Sequence, residues 1–131
     1  MIAIITGDII NSQKSDVETW LPKLKELLGS WSAAPENWEV YRGDEIQLKC
    51  NVDEVFHKAL LLKSLIRSFE NLDVRLAIGI GNEVFQSEKI TESNGSAYVN
   101  SGRLLTDIKS QGRTLAIQTE NEKVNRDLNI L

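Results

Sequence analysis

Residues 2 to 7 run Ile-Ala-Ile-Ile-Thr-Gly, apolar and β-branched on both alternating faces, which predicts a central strand covered on both sides and ended by Gly7-Asp8. Beyond it, Val17, Trp20, Leu21, Leu24, Leu27, Leu28 and Trp31 recur at helical spacing. Ser15-Asp16-Val17-Glu18 in front of them has the spacing of a capping box. Pro22 falls off that stripe and favours a helix start nearer Thr19, because proline is tolerated in the first turn.

After a polar loop from Ser30 to Asn37, Trp38, Val40 and Tyr41 begin a strand that turns at Gly43-Asp44 into a third. There Ile46, Leu48 and Cys50 alternate with Glu45, Gln47 and Lys49, so one face of the sheet is predicted to be wet or used. A long helix is expected from about Val52 to Asn71, with Val52, Val55, Phe56, Ala59, Ile66 and Phe69 at helical spacing. Strand four is Val74 to Ile80, whose second face, Arg75, Ala77, Gly79 and Gly81, has little bulk and invites a close approach to its backbone. A polar loop to Asn94, a helix from about Ser96 to Lys109, an apolar strand Thr114 to Ile117 and a weakly helical end complete the chain.

The order strand, helix, strand, strand, helix, strand predicts an α+β, ferredoxin-like βαββαβ sheet with an added C-terminal helix and strand, as one domain over residues 1–131. In that topology strand one lies antiparallel to strand three, so its end meets the start of the hairpin's second arm. Asp8 is thereby placed beside the turn Gly43-Asp44-Glu45.

Composition narrows the function classes. At 131 residues, 41% hydrophobic and 26% charged, the chain is long enough to bury a core of its own. Its single cysteine, Cys50, excludes an internal disulfide and a multi-cysteine zinc site, and no signal peptide or bilayer-length apolar run is present, so the cytosol is expected. A net charge of −4 argues against nucleic acid as a partner. His57 is assigned no role, Cys50 is expected in the core, and Trp20 and Trp31 belong to a core stripe.

Several carboxylates held together either raise a pKa or bind a cation. Mg²⁺ is the natural candidate, since it takes one or two carboxylates and completes its shell with water and substrate phosphates. The loop Ile9-Ile10-Asn11-Ser12-Gln13-Lys14 leads into a helix N-terminus that favours phosphate, with Lys14 adding a charge, so a nucleoside triphosphate fits the arrangement. Gly-Asp is also ordinary turn chemistry.

Ile4-Ile5-Thr6-Gly7-Asp8-Ile9-Ile10-Asn11-Ser12, Gly43-Asp44-Glu45-Ile46-Gln47, Arg75-Leu76-Ala77-Ile78-Gly79-Ile80-Gly81 and Asn94-Gly95-Ser96-Ala97-Tyr98, in this order, resemble the SatD family of bacterial proteins over nearly the whole chain. More remotely they resemble the palm domains of class III nucleotide cyclases and diguanylate cyclases. That resemblance implies Asp8 and Asp44 as metal ligands, the carbonyl of Ile9 as a further one, and Glu45 in place of the diguanylate cyclase hairpin glutamate, with Arg42 where that hairpin has its first glycine. It implies Arg103 as the transition-state arginine, while the loop leading into the first helix makes Ile10, Asn11, Ser12 and Lys14 the expected phosphate contacts. The asparagine expected four residues before that arginine falls on Val99, and Asn100 is one position off.

Members of the SatD type are often longer, some with a C-terminal helix-turn-helix region, which implies that Asn125 to Leu131 begins a further helix and that a DNA-binding part lies beyond it. Two functions follow. One is a Mg²⁺-dependent nucleotidyl cyclase or transferase acting on ATP or GTP; the other is a regulatory or dimerisation domain that keeps the fold without turnover. The polar face of Glu39, Tyr41, Gln47 and Lys49 is the expected homodimer surface.

Overall fold

The computed structural model describes residues 1–129. Along the chain it forms β1 (Ile2–Ile10), α1 (Val17–Trp31), β2 (Trp38–Tyr41), β3 (Glu45–Cys50), α2 (Val55–Arg67), β4 (Asp73–Gly81), α3 (Ser96–Gln111), β5 (Leu115–Gln118) and α4 (Glu122–Leu128). The strands make one mixed sheet in the order β2-β3-β1-β4-β5. β1 is antiparallel to both β3 and β4, while β4 and β5 are parallel. The apolar first strand is thus central, as its two-faced hydrophobicity requires.

Local details differ from the expected boundaries for identifiable reasons. β1 runs on to Ile10, because Asp8, Ile9 and Ile10 pair with Arg75, Val74 and Asp73 of β4. α1 starts at Val17, capped by Asp16, whose Oδ1 accepts from the Glu18 N–H, so the cap is one residue later than Ser15. Pro22 lies inside α1. The loss is limited to the one hydrogen bond its nitrogen would give the Glu18 carbonyl. A 3₁₀ turn at Val52–Glu54 precedes α2, which presents Leu62 to the core and leaves Phe56 43% exposed. Ile130 and Leu131, the last residues of the fragment expected to begin a further helix, lie outside the described residues.

α1 and α2 cover one face of the sheet. Trp20, Leu24 and Leu28 with Val55, Ala59, Leu62 and Ile66 bury Ile5, Ile46, Leu48, Leu76 and Ile78 there. Among the described residues no helix is long and apolar enough to cross a membrane.

The opposite face is not open. α3 lies across it, packing Leu104, Leu105 and Ile108 on Ala77 and Ala116, and Ala97 and Tyr98 on Ile4 and Ile90. The flat strip of β4 is filled by this helix and not by a ligand: a Cβ at Gly79 would run into the Ala97 carbonyl oxygen and the Ser101 nitrogen. The segment 82–95 closes part of the remainder. Thr91 donates from its N–H and hydroxyl to Glu39 at 3.2 and 2.8 Å, Lys49 pairs with Glu83 at 3.2 Å, and the Tyr98 hydroxyl also donates to Glu83. Two of the four residues expected at a dimer surface, Glu39 and Lys49, are therefore engaged within the chain.

Cys50 lies in the core, and burial pushes its thiol up to about 11. At pH 8 only about one thiol in a thousand is then ionised. Native protein is expected to resist iodoacetamide at that pH and to react fully once unfolded; rapid native labelling would contradict this placement.

Candidate functional site

On the α3 side of the sheet the registers align one polar row across four strands. Tyr41 of β2 pairs with Glu45 of β3, Glu45 with Asp8 of β1, and Asp8 with Arg75 of β4. Side chains at paired positions share a face, so the row places two carboxylates side by side with a guanidinium next to them. α3 crosses above, and its last turn delivers Lys109 to the same point.

Asp8 is the centre of this arrangement. It is only 8% exposed, and its Oδ2 takes both cations, Lys109 Nζ at 2.9 Å and Arg75 Nη1 at 3.4 Å. Its Oδ1 is buried without a hydrogen-bond partner. A buried carboxylate oxygen left unpaired is costly, so this atom is where a donor or a cation is wanted. Arg75 and Lys109 were missed in the sequence as partners of Asp8.

Asp44 reaches the same edge by its backbone, its carbonyl accepting from the Ile9 N–H at 2.9 Å. Its carboxylate goes elsewhere: Oδ2 accepts from the Ser12 hydroxyl at 3.1 Å, and Asp44 lines a cleft of about 260 Å³ with Ser12, Gln13, Val17 and Trp20 at the start of α1. The cause is strand alternation. Asp44 and Glu45 are consecutive, so only one can share a face with Asp8, and the register gives that place to Glu45. Glu45 also faces Arg42 at 3.9 Å, a long contact to a largely exposed guanidinium and so of little energetic weight.

The remaining expected residues are dispersed. Ile9 is buried within β1 and Ile10 is half-buried at its end. Asn11 adopts a left-handed φ of 65° and donates from Nδ2 to the Asn71 carbonyl, while Ser12 and Lys14 form a 3₁₀ turn with Lys14 exposed. The N-terminus of α1 is capped by its own Asp16, whose carboxylate takes one of the N–H groups, that of Glu18, at the helix end expected to face a phosphate. Arg103 is exposed on α3, with no ion pair among the described residues. Lys109, six positions on, is the α3 cation at Asp8.

Among the described residues no group of three or more His, Cys, Asp or Glu side chains is placed to hold a metal ion. A site built on Asp8 with Glu45 beside it would have to be completed by water and ligand oxygens, which is how Mg²⁺ is commonly held. The local charges, Asp8 and Glu45 against Arg75, Lys109 and Arg42, nearly cancel, so an added polyphosphate would still meet fixed cations. No protein-family model matches the chain, and no curated protein is significantly similar to it.

Proposed function

We propose that this chain is a palm-like, ferredoxin-like domain of the SatD type that binds a nucleoside triphosphate with Mg²⁺ at Asp8. The observation that carries the proposal is the Asp8 carboxylate: nearly fully buried, with Oδ2 held by two cations and Oδ1 without a partner. Oδ1, with Glu45 as the carboxylate on the same face, would hold the metal, and Asp44 supports the turn through Ser12. When bound, Mg²⁺ supplies charge neutralisation to the phosphates. Arg75 and Lys109 would orient phosphate oxygens, and Arg42 and Lys14 add positive charge at the rim. The strand order β2-β3-β1-β4 supports the ferredoxin-like assignment. The lone buried cysteine supports a cytosolic setting, and the resemblance to palm cyclases supports a homodimer.

Calorimetric titration with ATP and with GTP tests this. Binding is expected to require Mg²⁺, and Asp8→Asn is expected to weaken it at least about tenfold, as for loss of a charged ligand. Absence of binding for both nucleotides, or unchanged affinity in Asp8→Asn, would sink the proposal.

A regulatory module that binds without turnover is the second reading. It is favoured by two observations: Asp8 is already neutralised by Arg75 and Lys109, and Arg103 stands exposed on α3. On this reading Mg²⁺ and nucleotide bind, and no pyrophosphate appears over hours of incubation; steady release would instead establish the enzyme.

A further inference from the structure

The sheet face under α3 is left uncovered at one place. α3 packs over β4, β5 and β1, and Thr91 is tied down over β2 by Glu39. Beside Thr91, on the β2 and β3 strands, lies a cleft of about 510 Å³ lined by Tyr41, Arg42, Glu45, Gln47 and Thr91. Glu45 is both a wall of this cleft and the cross-strand neighbour of Asp8, so the cleft opens directly beside the Asp8 row.

We propose that this cleft seats the base of the bound nucleotide, with the Tyr41 ring as its stacking surface and the Gln47 carboxamide reading its edge. The proposal rests on the nucleotide reading above and adds to it where the base lies and what recognises it. The volume falls within the range of small-molecule sites. Tyr41 and Gln47 are both half-buried, and among the described residues neither its hydroxyl nor its carboxamide makes a side-chain hydrogen bond. An aromatic ring offers a stacking platform to any base, and a carboxamide offers one donor and one acceptor together, the pair that the N6/N7 edge of adenine complements. Glu39 is excluded from that role because Thr91 occupies it. The phosphates would then run from the cleft past Glu45 towards Arg75 and Lys109.

Amide chemical shifts of the ¹⁵N-labelled chain, titrated separately with adenosine, guanosine and Mg²⁺-tripolyphosphate, test the base site apart from the phosphate site. Nucleosides are expected to move Tyr41, Gln47 and Thr91, and tripolyphosphate to move Asp8, Arg75 and Lys109. Tyr41→Ala is expected to weaken ATP binding about tenfold and leave tripolyphosphate unaffected, while Tyr41→Phe retains it. Gln47→Leu is expected to abolish any preference of ATP over GTP. If tripolyphosphate binds but nucleosides leave the cleft amides unmoved, or Tyr41→Ala binds ATP normally, the base site is wrong and the phosphate site stands. If nucleosides move the cleft and tripolyphosphate binds nowhere, the base site stands alone; if no probe produces a shift, both are overturned.

Discussion

Replacing Gly79 with valine is expected to lift α3 off the sheet, at a cost of about 3 kcal/mol or more and a drop in melting temperature of roughly 10 °C. The reason is that the obstacle is backbone. Any side chain at 79 meets the Ala97 carbonyl and the Ser101 nitrogen, atoms that cannot rotate away as a side chain can. Moving α3 also breaks the buried contact of Ser101 Oγ, which lies 2.6 Å from Thr6 Oγ1 and 2.9 Å from the Ala77 carbonyl oxygen that accepts from it. It carries Lys109 away from Asp8 as well, so the proposed nucleotide binding should fall with stability. Gly29→Ala is the control: it lies in α1 with only the Trp38 ring in ordinary contact, and should be neutral or stabilising by about 1 kcal/mol. Thermal melts of the two variants decide the matter; a Gly79→Val protein melting within about 2 °C of wild type would mean that α3 does not lie flush on β4.

What a reader of the sequence could see of this arrangement depends on which interaction sets it. The period-two pattern of Ile46, Leu48 and Cys50 fixes the faces of β3, and the bare strip at Ala77, Gly79 and Gly81 announces that something lies on β4. Which body lies there is a long-range fact. α3 could have joined α1 and α2 on the other face by its hydrophobic stripe alone, and only the fit of its backbone to the glycines places it opposite. The candidate site divides in the same way. Proximity of Asp8 to the turn follows from topology, whereas the direction of each carboxylate follows from register: pairing Asp8 with Glu45 necessarily turns Asp44 away. Arg75 becomes a partner of Asp8 through the β1/β4 register, and Lys109 through the angle at which α3 crosses the sheet. Neither quantity is local. Arg103 is marked only by the resemblance, and the helix places it on a solvent face one and two-thirds turns before Lys109, by the 3.6-residue period.

Asn125→Ala is the second large effect expected, at about 2 kcal/mol or more, because its carboxamide is the more deeply buried of two that complete the open edge of the sheet. β5 is an edge strand, and two residues that extend along its free side, Ile117 and Thr119, are satisfied by asparagines of the C-terminal helical segment. Asn125 Oδ1 accepts from the Thr119 N–H at 2.7 Å and from its hydroxyl at 2.8 Å, while its Nδ2 donates to the Thr119 carbonyl at 3.0 Å. Asn129 does the same for Ile117, accepting at 2.7 Å and donating at 2.8 Å. The spacing makes this possible: four residues of helix advance about 6 Å and two residues of strand about 6.6 Å, so carboxamides at i and i+4 meet alternate strand residues. α4 thereby stands in for a further strand. Asn125 is 5% exposed, so truncating it strands the Thr119 groups with poor access to water, whereas Asn129, at the end of the helix and half-buried, should cost less. Denaturant melts should rank the variants in that order, and amide exchange at Thr119 should accelerate in Asn125→Ala well before global unfolding. A freed edge also invites strand pairing between molecules, so the same variant should associate with rising concentration. Stability within about 0.5 kcal/mol of wild type and an unchanged, monodisperse size would show that water replaces the carboxamide at no cost and that α4 does not protect the edge.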